Sequence, residues 1–262
     1  MGEAGQMNGA GAEVDERIER EREWHDERFG DEEGRSLGRM YAINGAGERW
    51  YQGAIDGLPD EALVLDYGCG DEAYCAMYAA SHGKRARAID LSPVAIENAR
   101  GVAEEKGIAD RIEFAVMNAE DLDYEDDTFD AVTGLGVIHH LDVDSGVAEI
   151  ARVLKPGASA FFMEALGHNP VINLIRRMTP RQRTEDEHPL KVEDIETMKK
   201  YFDEVDATYL HLLGLLAIPM IGRRGFDGMV DRLGRTDQAL FRRVPPARKY
   251  AWMACITLTG PR

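Results

Sequence analysis

Cysteine is scarce: Cys69, Cys75 and Cys255 are the only three in 262 residues. No CxxC or CxxH spacing occurs, which argues against a disulfide framework and a cysteine-based zinc site and fits a chain kept reduced. Long apolar runs are also missing. The longest, Leu212 to Ile221, is interrupted by Pro219 and falls short of the roughly 20 residues that a bilayer span needs. The first residues, MGEAGQMNGAGAEVDE, lack the basic start and apolar core of a secretion signal. Gln6 stands where a myristoylation site after Gly2 requires Ser or Thr. Positive charge is in deficit, with 31 Lys and Arg against 48 Asp and Glu and a net charge of −17. That excess repels phosphates, so neither a non-specific grip on nucleic acid nor docking on anionic lipid is expected. The expectation is a cytoplasmic chain acting on a small molecule, with no nucleic-acid and no membrane partner. Whether it forms a homodimer or joins a heteromeric partner stays open.

Residues 1–13 are Gly, Ala and acid, and read as a disordered tail. Val14 to Phe29 reads as an exposed helix anchored by Trp24 and Phe29, and a second helix is expected from about Ser36 to Ile55. Residues 14–58 would therefore form a helical cap. From residue 59 to 262 the pattern becomes one of short apolar strands alternating with helices, the signature of βαβ units around a parallel sheet. Strands are expected at 62–66, 85–90, 112–116, 129–135 and 158–164, with helices over 72–81, 93–106 and 143–154 between them. Beyond Glu164 the regularity loosens. Residues 165–200 and 212–247 read as insertions that close a pocket. A sixth strand is expected near 202–211, and a last strand over 249–259 is expected to pair antiparallel beside the fifth.

The first strand runs into Val64-Leu-Asp66-Tyr-Gly68-Cys69-Gly70. Glycines there let the backbone turn tightly and approach a ligand, and the following helix N-terminus offers free N–H donors to an anionic group. Asp90 ends the second strand, where a carboxylate can accept two hydrogen bonds from ribose hydroxyls. Asn118-Ala119-Glu120-Asp121 follows the third strand, and Phe129-Asp-Ala-Val132 leads to His139-His140-Leu141 after the fourth.

VLDYGCG, AIDLSPVAIENAR, NAEDL, TFDAV with VIHHL, and EIARVLKPG together resemble the class I S-adenosylmethionine (SAM)-dependent methyltransferases over about 40% of the chain. The flanks, with Trp24-His25-Asp26, Glu164-Ala-Leu-Gly-His168, Thr184-Glu-Asp-Glu-His188-Pro189 and Tyr250-Ala-Trp252, are similar to one subset of small bacterial members. The resemblance implies a doubly wound, mostly parallel seven-stranded α/β sheet of Rossmann-like type. It also implies SAM as cofactor and methyl transfer to O, N or C of a small molecule in secondary metabolism. In that family's terms, Asp66, Gly68, Cys69 and Gly70 would border the methionyl part, and Asp90 the ribose. Leu91, Asn118 and Ala119 would lie at the adenine, and Leu135 with Gly136 beneath the sulfonium. His139 or His140 would lie near the transferred methyl.

Candidates for acid–base work are His140, His139, His25 and His168, because histidine alone titrates near neutrality unperturbed. Each has a plainer reading as a strand cap, a solvated helix residue or a turn. No metal site is expected of them. Asp71 and Glu72 stand where the family usually carries a third glycine, and a side chain at Glu72 is expected to crowd the methionyl group. Two further readings stay open: a methyltransferase-fold enzyme that catalyses another substitution, such as aziridine closure, and a non-catalytic partner subunit.

Overall fold

The apolar runs of the sequence enter one sheet. In the computed structural model, which describes residues 3–30, 40–179, 184 and 187–262, seven strands stand in the order β3-β2-β1-β4-β5-β7-β6. They are β1 Leu63–Tyr67, β2 Arg85–Asp90, β3 Ile112–Val116, β4 Phe129–Leu135, β5 Leu154–Ala165, β6 Phe202–Leu210 and β7 Met253–Pro261. β1 pairs in parallel with β2 and β4, and β7 runs antiparallel between β5 and β6. Helices α2 Gly45–Asp56, α3 Tyr74–Ser81, α4 Pro93–Glu105 and α5 Val143–Val153 pack on the sheet, and α6 Pro170–Met178, α7 Val192–Thr197 and α8 Phe226–Arg243 lie in the C-terminal part. No described helix is long and apolar enough to cross a membrane.

The principal core joins Leu65, Ile89, Phe129, Val132 and Phe162 of the strands to Val147 and Ile150 of α5. Where β2 and β3 meet α3 and α4, most of the buried residues are small, among them Ala76, Ala80, Ala88, Ala99 and Ala103, alongside Met77 and Ile112. Small side chains let helix and sheet backbones approach closely, so these elements are held at short range near the first two βα turns. Helix α4 is set by Ser92, whose Oγ accepts from Ala95 N at 3.1 Å, and by Pro93 at its first position.

Some bounds differ from the sequence pattern. Helix α1 spans Glu3–Gly30, so the backbone of residues 3–13 is helical where a disordered tail is expected. Helix α2 starts at Gly45; residues 36–39 of the longer helix expected there lie outside the described residues. Helix α3 starts at Tyr74 rather than Glu72, because Ala73 occupies left-handed backbone at φ +40° and ψ +48°. Strand β5 starts at Leu154 and absorbs Lys155-Pro156-Gly157, with Gly157 at φ +77° and a register shift opposite Phe129 and Ala131. A bulge accommodates the proline's missing donor.

Candidate active site

The strand order reverses between β1 and β4, so the turns after β1, β2 and β4 diverge at their carboxyl ends and leave a crevice. A cavity of about 260 Å³ fills it, and α1 lies along one side. Gly68 at φ +70° and Gly70 at φ +62° carry the turn after β1. A Cβ on Gly68 would stand 2.4 Å from Val137 Cγ2, so this position takes only glycine. Cys69 N donates to Ile89 O at 2.8 Å, tying the turn to β2. Asp90 is nearly buried, and its two oxygens accept Gly70 N and Ser92 N at 2.9 Å each. Each oxygen keeps a second lone pair, enough for a diol.

Of the expected cofactor residues, Gly68, Cys69, Gly70, Asp90, Leu91, Asn118, Ala119 and Leu135 line this one cavity. Asn118 Oδ1 accepts Glu120 N at 3.0 Å, which leaves its amide hydrogens for a ligand. Asp66 does not line it. Its buried carboxylate accepts Ala76 N at 2.8 Å and caps the first turn of α3. Burial pushes its carboxyl up to about 7, against the Ala76 amide, with the charge of Asp90 adding to the rise. Glu72 is exposed, and neither it nor Asp71 lines the cavity. The chain passes the third-glycine position with its side chain outward and places the strained backbone one residue later, at Ala73.

The same cavity is also lined by a histidine–carboxylate cluster. His25 and Glu21 of α1 line it together with His140, which sits on the single 3-10 turn Ile138–His140 after β4. Glu21 Oε2 lies 3.2 Å from His140 Nδ1 and 3.6 Å from His25 Nε2, and Thr184 Oγ1 donates to Glu21 Oε1. Burial opposes ionisation of Glu21, but its hydrogen bonds to His140, His25 and Thr184 outweigh it and hold the carboxyl far below the usual range. Burial and the neighbouring His139 pull His140 down, against the attraction of Glu21. His139 stands behind this front: its Nδ1 meets Glu164 Oε2 at 2.7 Å, while Glu164 Oε1 accepts Val137 N and Ile138 N at 2.9 Å. Fully buried Glu164 therefore shapes the turn that carries both histidines. His168 lies elsewhere, with Nε2 3.6 Å from Glu193 Oε2, and does not line the cavity.

Helix α1 is fastened over the crevice by polar ties. Arg17 Nη2 donates to both Glu120 oxygens at 2.6 and 2.5 Å, and Arg17 Nη1 reaches His140 O at 3.3 Å. Asp26 accepts from Ser92 Oγ. Glu21, Arg17 and Glu120 were not singled out from the sequence, although the i, i+4 spacing of Glu21 and His25 puts them on one helical face.

A family model described as a methyltransferase domain matches residues 65–162. This segment is a class I methyltransferase domain. The chain is 36% identical over 96 residues to norajmaline N-methyltransferase of Rauvolfia serpentina, covering 36% of this chain and 33% of the relative. It is 27% identical over 179 residues to ajmaline N-methyltransferase of the same plant, covering 66% and 57%. The chain thus spans between a third and three-fifths of these relatives' lengths. Among solved structures, phosphoethanolamine N-methyltransferase 2 of Haemonchus contortus in complex with SAM aligns with a TM-score of 0.61 at 17% identity, over 91% of this chain and 60% of that one. That likeness bears on the fold. SAM is the cofactor of the class I family, and the crevice of the methyltransferase domain fits it: a glycine turn open to a methionyl group, a carboxylate with lone pairs to spare for a ribose diol, and amide donors beyond.

Proposed function

We propose that the chain transfers the methyl group of SAM to O, N or C of a small molecule. One observation carries this reading. The glycine turn, Asp90 and the Asn118–Ala119 pair line the same cavity as His25, Glu21 and His140. The turn at Gly68–Gly70 would border the methionyl part, Asp90 the ribose, and Leu91, Asn118 and Ala119 the adenine. When bound, SAM supplies an electrophilic methyl on sulfur, which passes to the acceptor and leaves S-adenosylhomocysteine. Leu135 borders the cavity and also packs against the apolar cluster of Ile43, Met163 and Trp252, so a largely apolar acceptor is favoured there. The protein aligns the acceptor with the methyl carbon, and the histidine–carboxylate cluster takes up the proton that an O or N acceptor releases. The two plant relatives, named as N-methyltransferases of norajmaline and ajmaline, support a small-molecule acceptor.

Isothermal titration tests the reading. Micromolar binding of SAM and S-adenosylhomocysteine is expected. Loss of a charged hydrogen-bond acceptor in Asp90→Ala should weaken it by about ten- to a hundredfold. A folded chain that binds neither compound refutes the proposal and leaves a different chemistry or a non-catalytic role.

A further inference from the structure

We propose that Glu21, His25 and His140 form a binding site for one divalent transition-metal ion, open towards the crevice. The ligand-capable atoms of these three residues all lie within 4.8 Å of one another. Glu21 Oε2 is 3.2 Å from His140 Nδ1 and 3.6 Å from His25 Nε2. Donors about 2.0–2.1 Å from a tetrahedral ion stand about 3.3–3.4 Å from one another, so the spacing already approximates a coordination edge. Two imidazoles and one carboxylate are a donor set suited to zinc or ferrous iron rather than to magnesium, which prefers oxygen. A three-ligand site with an open position is the arrangement of metal ions that act on substrates, as distinct from closed structural sites.

Several features favour this group over its neighbours. All three side chains line the cavity, so an ion held by them has its free side there. Glu21 and His25 are rigidly presented one turn apart on α1, while His140 comes from the turn after β4. The nitrogen of His25 that faces Glu21 is Nε2, and the ring's other nitrogen, Nδ1, is buried without a hydrogen-bond partner. A second group, His139, His140 and Glu187, also lies within 4.8 Å, but its donors are engaged. His139 Nδ1 faces Glu164 at 2.7 Å, and Glu187 is offset by the Arg176 guanidinium at 3.5 Å. Glu21, four residues before His25, supplies the carboxylate on the same helical face.

The consequence for the reaction rests on the methyl-transfer reading. An ion here would bind an acceptor oxygen or nitrogen and lower its pKa, so the acceptor class would be metal-chelating alcohols, phenols or amines.

The test titrates Zn2+ into metal-stripped full-length chain and measures S-adenosylhomocysteine binding in the same samples. One ion per chain is expected, with Kd below micromolar. Glu21→Gln and His25→Ala should each weaken it at least about a hundredfold, and His168→Ala should leave it unchanged. Because a variant can misfold, the wild-type chain is also labelled with 15N in histidine. Zn2+ should shift the imidazole signals of His25 and His140 and spare those of His82 and His168. No stoichiometric binding, or shifts confined to other histidines, overturns the metal site. If S-adenosylhomocysteine still binds, the methyl-transfer reading survives that result; if it does not, both fall.

Discussion

Replacing Asp66 by asparagine should flatten the pH dependence of stability in a calculable way. The carboxyl sits at about 7 in the folded chain, against about 3.9 in an unfolded one. A carboxyl raised on folding favours its neutral form, so the stability it contributes is fully present below the unfolded value and is lost as pH rises through the folded one. About three pKa units at 1.36 kcal/mol each give about 4 kcal/mol in all, of which about 2–3 kcal/mol falls between about pH 5 and 8. Asparagine keeps an oxygen for Ala76 N, which now lies 2.8 Å from Asp66 Oδ2, and has no charge to bury. The assay is urea unfolding of both proteins by circular dichroism across that range. Other titrating groups are common to the two proteins, so the difference curve isolates residue 66. Asp66→Asn should gain about 2–3 kcal/mol on wild type between the two ends. A constant difference would show that Asp66 is ionised in the folded chain throughout, and would refute the assignment of burial as the dominant effect.

Three further outcomes follow from single contacts. Glu72→Gly should change S-adenosylhomocysteine affinity less than about twofold by calorimetry, since Glu72 is exposed and outside the cavity; a tenfold gain would mean that its side chain reaches the methionyl subsite. Gly68→Ala forces a Cβ to 2.4 Å from Val137 at φ +70°, and should cost at least about 2 kcal/mol in urea unfolding. Arg17→Ala removes the two bonds to Glu120 at 2.6 and 2.5 Å, and should make limited proteolysis within α1 several-fold faster; an unchanged rate would mean that α1 is held by its other contacts.

The sheet was legible because each central strand is a short apolar run closed by an acid or a glycine, and a buried parallel strand has few other ways to read. The same local punctuation located Gly68, Gly70 and Asp90 at one end of the strands. The role of Asp66 was not legible: its partner is a main-chain amide, Ala76 N, which leaves no mark on side-chain identity. The placement of Glu72 was not legible either, because a motif lists residues in order and says nothing of the side to which a loop turns them; in the structure Glu72 is exposed. The pairing of Glu21 with His140 spans 119 residues, far beyond any periodicity, and depends on how α1 is laid across the sheet. Its half with His25 was within reach as a helical i, i+4 pair.

The division between what the family shares and what this chain adds follows the boundary of the matched segment. Residues 65–162 provide the glycine turn, Asp90 and the Asn118–Ala119 pair, all of which line the cavity. They also provide His139 and His140, but the groups that set the chemistry of those histidines come partly from outside: Glu21, His25, Thr184 and Glu187. The apolar cluster beyond Leu135 draws on Ile43, Ile172 and Trp252, again largely outside it. A relative matched only over the shared segment therefore informs the cofactor and not the acceptor. On the proposed function, acceptor choice would rest on α1, Thr184 and the C-terminal helices. Exchanging Trp252 for another apolar residue should alter which acceptors are methylated while leaving S-adenosylhomocysteine affinity within a few-fold. Substitutions at Asp90 should do the reverse, lowering cofactor affinity for every acceptor alike.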